Sequence, residues 1–123
     1  AAAACAATLR ILEEERLVEN SAALGARMLA RLSGMKERFP FIGDVRGRGL
    51  MIGVELVGDR KTKEPLAKDL CRALFEEGLR RGLLTMAYSP VIRINPPLNM
   101  TAAQADEALD RLEACFALLA PRA

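Results

Sequence analysis

A chain of 123 residues is one ordinary domain, residues 1–123, with room for a single core. Hydrophobic residues make up 51%, which argues against disorder, and the apolar runs fall well short of the roughly 20 residues a membrane span needs. The formal charge is +2 with the signs mixed along the chain, and histidine is absent, so nothing points to nucleic acid, an anionic membrane, a Ser-His or Cys-His nucleophile or a His-based metal site.

The opening AAAACAATL has no basic leader and runs into acidic, helix-like sequence, so a helix is expected there and not a signal peptide. One long helix is predicted over residues 3–38. Leu17, Val18, Ala22, Leu24, Met28, Leu29, Leu32 and Met35 repeat at helical spacing along it. Gly34 weakens its last turns and Pro40 stops it. Strands are predicted at 44–46 and 50–57. In the second, Leu50, Ile52, Val54 and Leu56 alternate with Met51, Gly53, Glu55 and Val57. Gly47 and Gly49 give the backbone freedom for a tight hairpin between the two. Residues 58–65 read as a polar loop.

A second helix is predicted over 66–81, with Gly82 as its C′ residue. Two more strands, 83–87 and 91–94, follow around a turn at Ser89-Pro90. Neither Pro96 nor Pro97 can donate to a ladder, so the last strand ends there. A final helix is predicted over 101–120, opened by a capping box of Thr101 and Gln104. The order is helix, strand pair, helix, strand pair, helix. It predicts an α/β fold of the α+β type: a small, largely antiparallel sheet with helices on one face, preceded by a long N-terminal helix. The alanine-rich start of that helix has little to bury against in so small a sheet, which implies a partner domain or subunit. Cys5, Cys71 and Cys115 lie in apolar helical stretches without metal-ligand spacing and are expected to be buried free thiols in a reducing, cytoplasmic setting.

Few residues invite a chemical reading. Arg93, in VIRINPP, shares a strand face with Val91 and Asn95, while Ile92 and Ile94 point to the core. A guanidinium on a rigid strand can grip a carboxylate through two parallel hydrogen bonds. Spacing alone favours the plainer alternative, a solvated arginine on an edge strand. GRG at residues 47–49 lacks the full phosphate-loop pattern and reads better as a hairpin turn. Neighbouring acids such as Glu76 and Glu77 diverge around a helix and do not converge as an acid–base pair. Lys61 and Lys63 sit in a charged loop with nothing to desolvate an amine. Tyr88 precedes a turn and is no signal alone. No catalytic, cofactor-binding or metal-binding residue is identified.

Three stretches, in order, resemble class III pyridoxal-phosphate-dependent aminotransferases, the family of the 4-aminobutyrate, ornithine and acetylornithine aminotransferases and dialkylglycine decarboxylase. They are ACAATLRILEEERLVENSAALGARM, IGDVRGRGLMIGVELVGDRKTKEP and GLLTMAYSPVIRINPPLNMT, and together they cover nearly all of the chain. The resemblance implies the C-terminal small domain of such an enzyme, with Arg93 at the position that commonly binds the substrate carboxylate. It implies pyridoxal 5′-phosphate as cofactor of the whole enzyme, held by residues upstream; none of Lys36, Lys61, Lys63 or Lys68 falls in the family's lysine motif. It also implies amino-acid or amine and 2-oxo acid substrates, and a large domain and second subunit as partners in a homodimer. This chain alone is then expected to be inactive and to hold no cofactor. The alternative reading of another class is a stand-alone, non-catalytic α/β ligand-binding or interaction module.

Overall fold

The computed structural model describes residues 1–122. Helix α1 (Ala2–Glu14) is followed after a two-residue break by α2 (Leu17–Arg38). Strands β1 (Ile42–Arg48) and β2 (Met51–Asp59) form a hairpin, and a two-residue strand β3 (Glu64–Pro65) follows. Then come α3 (Lys68–Arg80), β4 (Val91–Ile94) and α4 (Ala102–Leu119), closed by a 3-10 turn, Ala120–Arg122. All pairings are antiparallel, with β1 on one side of β2 and both β3 and β4 paired to β2. The expected mixed α/β class, with a small antiparallel sheet, is what the chain adopts.

The sheet has one buried face. Ile52, Val54 and Leu56 of β2 and Ile92 of β4 are at most 2% exposed and meet Met28, Leu32 and Met35 of α2 and Leu109, Leu112 and Phe116 of α4 in one core. Phe116 lies among Phe39 and Phe41, with ring centroids 5.8 and 5.6 Å away. Burying such a ring is worth about 3 kcal/mol from area alone. Around this core, Arg27 pairs with Asp106 through Nε at 2.9 Å, and Arg31 reaches Asp110 at 2.7 Å and Glu113 at 3.1 Å, lacing α2 to α4.

Local chemistry sets the element ends. The capping box forms as expected: the Gln104 N–H donates to Thr101 Oγ1 at 3.2 Å and the Thr101 N–H to Gln104 Oε1 at 2.9 Å. Gly82, at φ +71°, follows α3 as C′. The Leu83 N–H donates to the Gly78 carbonyl and the Gly82 N–H to that of Leu79, which is the Schellman pairing. The β1–β2 turn is also the expected hairpin, with Gly49 at φ +55°. α2 closes directly onto it: the Leu50 N–H donates to Ser21 Oγ at 3.0 Å, and Gly25 packs against the backbone of Gly49.

Four expectations are corrected. The predicted single helix breaks at Arg16, which takes the left-handed conformation at φ 51°. α2 starts to bury its stripe at Leu17 and is anchored at Asn20, whose Nδ2 donates to the Leu98 and Met100 carbonyls, whereas α1 has no buried residue. Val18 and Ala22 of the predicted stripe are exposed. Cys5, on α1, is exposed for the same reason that α1 buries nothing, while Cys71 and Cys115 are buried as expected. Residues 64–65, read as loop, pair with β2, which holds the end of the 58–65 segment to the sheet.

The fourth correction concerns residues 83–87, which form no strand. Exposure does alternate along it, with Leu83 and Thr85 partly buried, Ala87 buried, and Leu84 and Met86 exposed. The ladder is missing because the segment is drawn to α3 instead. Ala87 is fully buried, and Tyr88 packs edge-on against Phe75 of α3 at 5.7 Å. The four-stranded sheet therefore includes β3 in place of this segment.

Candidate functional site around Arg93

β4 is short but firmly placed. Its ladder to β2 pairs Ile94 with Ile52, Arg93 with Gly53, Ile92 with Val54 and Val91 with Glu55. Ile92 anchors it from below at 0% exposure. Beyond it, Pro96 and Pro97 stiffen the chain, and the carbonyls of Leu98 and Met100 accept the Asn20 side-chain bonds. Arg93 thus projects from a fixed backbone, on the sheet face opposite the helices.

That outer face has a defined composition. Reading across the ladders, Arg46 of β1, Gly53 of β2 and Arg93 of β4 form one row. On one side lies the row of Asp44, Glu55 and Val91, and on the other stand Arg48 and Met51. Arg46 Nη1 bonds Asp44 at 2.9 Å and Glu55 at 3.3 Å. The hydrogen bond from Arg46 holds the Asp44 carboxyl below the usual carboxylate range, with Lys36, 3.8 Å away, adding to the effect. Arg46 is thereby compensated. Arg93 is exposed and, among the described residues, its side chain makes no hydrogen bond or ion pair; the same holds for the side chain of Arg48. A guanidinium held on a rigid strand without an internal carboxylate keeps its donors free for an external one.

Arg93 also borders a recess of about 470 Å³, between β4 and residues 83–86. Leu84, Met86, Ile94, Pro96 and Met100 give it apolar walls. Met28 of α2 and Ala108 of α4 close it from the helix side. One cation at the rim of an apolar recess suits a small organic acid. A second recess of about 490 Å³ lies between α3 and α4, but its Glu76, Glu77 and Arg80 are already paired with one another. Its other cation, Arg122, lies in the closing 3-10 turn and not on a paired strand, so it lacks the fixed backbone that holds Arg93.

The remaining candidates do not join the site. Lys61, Lys63 and Lys68 are exposed, and Lys36 pairs with Asp44. None lines the recess at Arg93, so the residues present do not fit covalent attachment of an aldehyde cofactor there. Among the described residues no cluster of three or more Cys, Asp or Glu side chains could hold a metal. Tyr88 turns to Phe75. The sequence reading found Arg93 but missed the row it belongs to, because register between strands distant in sequence sets that row. The wall at 83–86 was missed because a short, mostly apolar run before a turn does not distinguish a strand from an unpaired extended segment.

Residues 1–116 match the family model described as aminotransferase class-III. An alanine/serine racemase of Pyrococcus horikoshii is 46% identical over 112 residues, covering 90% of this chain and 23% of that protein. A taurine–pyruvate aminotransferase of Rhodobacter capsulatus is 40% identical over 125 residues, covering 96% of this chain and 27% of that protein. Among solved structures, an amine transaminase from an uncultivated Pseudomonas species, in a PLP-bound form, superposes with a TM-score of 0.88 at 38% identity, covering 95% of this chain and 27% of that one. The chain spans about a quarter of the length of these relatives.

Proposed function

The chain belongs to the class III aminotransferase family, and from that premise we propose that it is the C-terminal small domain of a pyridoxal-phosphate-dependent transaminase, in which Arg93 binds the substrate carboxylate. The observation that carries the reading is Arg93 itself: uncompensated, fixed between a ladder and two prolines, and at the rim of an apolar recess. The reaction is transfer of an amino group from an amine or amino acid to a 2-oxo acid. The large domain supplies the cofactor site and, with a second subunit, the rest of the active centre. This chain's part is to bind and orient the acid. On this reading the chain alone is inactive, and its free thiols suit a cytoplasmic enzyme. No helix is long and apolar enough to cross a membrane among the described residues.

The test is Arg93→Ala and Arg93→Lys in the enzyme that carries this sequence, with donor half-reactions followed separately for an amino acid and for an amine lacking a carboxylate. Losing a charge-assisted bidentate pair costs about 1.5–3 kcal/mol, roughly a 10- to 150-fold fall in kcat/KM. The fall is expected for the amino acid and not for the amine. Equal kcat/KM for wild type and variant with the amino acid removes Arg93 from the site. The similarity to a racemase favours a second reading, racemisation of an amino acid. Loss of optical rotation without any 2-oxo acid acceptor would select it.

A further inference from the structure

We propose that Gly53 determines specificity at this same site: its missing side chain leaves the space over β2 through which the carboxylate end of an amino or oxo acid reaches Arg93. The inference rests on the reading of Arg93 above and names the residue that admits its ligand.

Gly53 sits in the middle of β2, with ladder partners on both sides. Such a position favours a branched or aromatic residue, and glycine weakens it. The chain's own packing does not demand glycine there. Its φ is not in the left-handed region, and the ladder is regular at this row. A Cβ built on Gly53 meets nothing nearer than the Arg46 carbonyl oxygen at 3.9 Å and Arg46 Cγ at 4.0 Å. At Gly25, Gly43 and Gly47 the same test brings contacts at 2.1, 2.7 and 2.4 Å, so the fold itself requires those three to be small. A strand glycine often marks a bulge, a bend or close approach from outside; Gly58, equally open, lies at the register shift between Val57 and Asp59, whereas Gly53 lies in regular ladder, which leaves close approach.

The charges around it select what approaches. Arg93 stands one strand away, about 5 Å between Cα atoms, and is uncompensated. Arg46, on the other side, is tied to Asp44 and Glu55. Those two acids, in the adjacent row, are taken up by Arg46 and Lys36 and leave no free donor on that side, while Arg48 on the opposite side adds positive potential. A carboxylate is therefore drawn onto the row of Gly53, over bare backbone, beside the Arg93 guanidinium. A branched side chain at 53 would stand in that space.

The test uses the enzyme carrying this sequence, with Gly53→Ala, Gly53→Val and Arg93→Ala measured side by side. Gly53→Val is expected to raise KM for amino acids and 2-oxo acids about tenfold or more, with kcat nearly kept, and Gly53→Ala to do so by less. The half-reaction with a carboxylate-free amine stays within about twofold of wild type. The thermal midpoint stays level or rises, because both replacements suit a strand better than glycine. If Arg93→Ala raises the acid KM and Gly53→Val does not, this inference fails and the reading of Arg93 stands. If neither does, both fail. If only Gly53→Val does, the acid is held elsewhere and the inference fails. Loss of cofactor loading or dimer assembly in Gly53→Val would also overturn it, since another part of the protein would then occupy the space.

Discussion

Replacing Gly25 by alanine sets two effects against each other. In the interior of a helix, alanine is more favourable than glycine by about 1 kcal/mol. Position 25, however, is where α2 rests on the β1–β2 hairpin. A Cβ there would lie 2.1 Å from the Gly49 carbonyl oxygen, 2.3 Å from its carbon and 2.5 Å from its Cα. All three are backbone atoms, so no side chain can rotate away. Gly49 is itself held at φ +55° and is pinned from the neighbouring residue by the bond from the Leu50 N–H to Ser21 Oγ. Relief requires the helix and the hairpin to separate by about 1 Å, at an overpacking cost of about 3 kcal/mol. The net expectation for Gly25→Ala is about 2 kcal/mol of destabilisation, or a fall of about 1–2 M in the urea midpoint of this chain. Gly34, on the same helix, is the control. A Cβ there meets nothing within 4 Å, so Gly34→Ala is expected to stabilise by the full propensity gain of about 1 kcal/mol. Unfolding followed by circular dichroism reads both. A Gly25→Ala midpoint at or above wild type would refute the claim that close backbone contact, and not helix propensity, governs that position.

Two further outcomes test the packing. Phe116→Ala removes a fully buried ring from the cluster with Phe39 and Phe41, and a loss of about 3–5 kcal/mol is expected in the same urea assay. Burial raises the thiol pKa of both Cys71 and Cys115, whereas Cys5 is exposed, so a thiol reagent at neutral pH should modify Cys5 alone in the native chain and all three cysteines in denaturant. Rapid native labelling of Cys71 or Cys115 would show that the core opens locally or is wrongly placed.

Several elements were legible from residues alone because their causes are local. Thr101 with Gln104 announces the start of α4, and Gly82 the end of α3, since each motif is completed within a few residues of backbone. The alternation from Leu50 to Val57 identified β2, and the glycines before it its hairpin. Arg93 stood out for the same reason: an arginine between apolar strand residues and two prolines is visible in any reading of VIRINPP. The ordered match of three stretches to the class III pattern then supplied an identity that composition never could.

What the tertiary structure decided depends on partners distant in sequence. Whether residues 83–87 pair with β4 is settled by Ala87 entering the core and Tyr88 meeting Phe75 of α3, contacts that no local pattern contains. Whether Ala2–Glu14 runs on into α2 is settled by where burial begins, at Leu17, and by the anchor from Asn20 to the turn after β4. The row of Arg46, Gly53 and Arg93 exists only once two ladders fix their register. Side-chain period and turn chemistry are properties of the chain; cross-strand neighbours and unpaired edges are properties of the fold, because they arise only when segments separated by tens of residues meet.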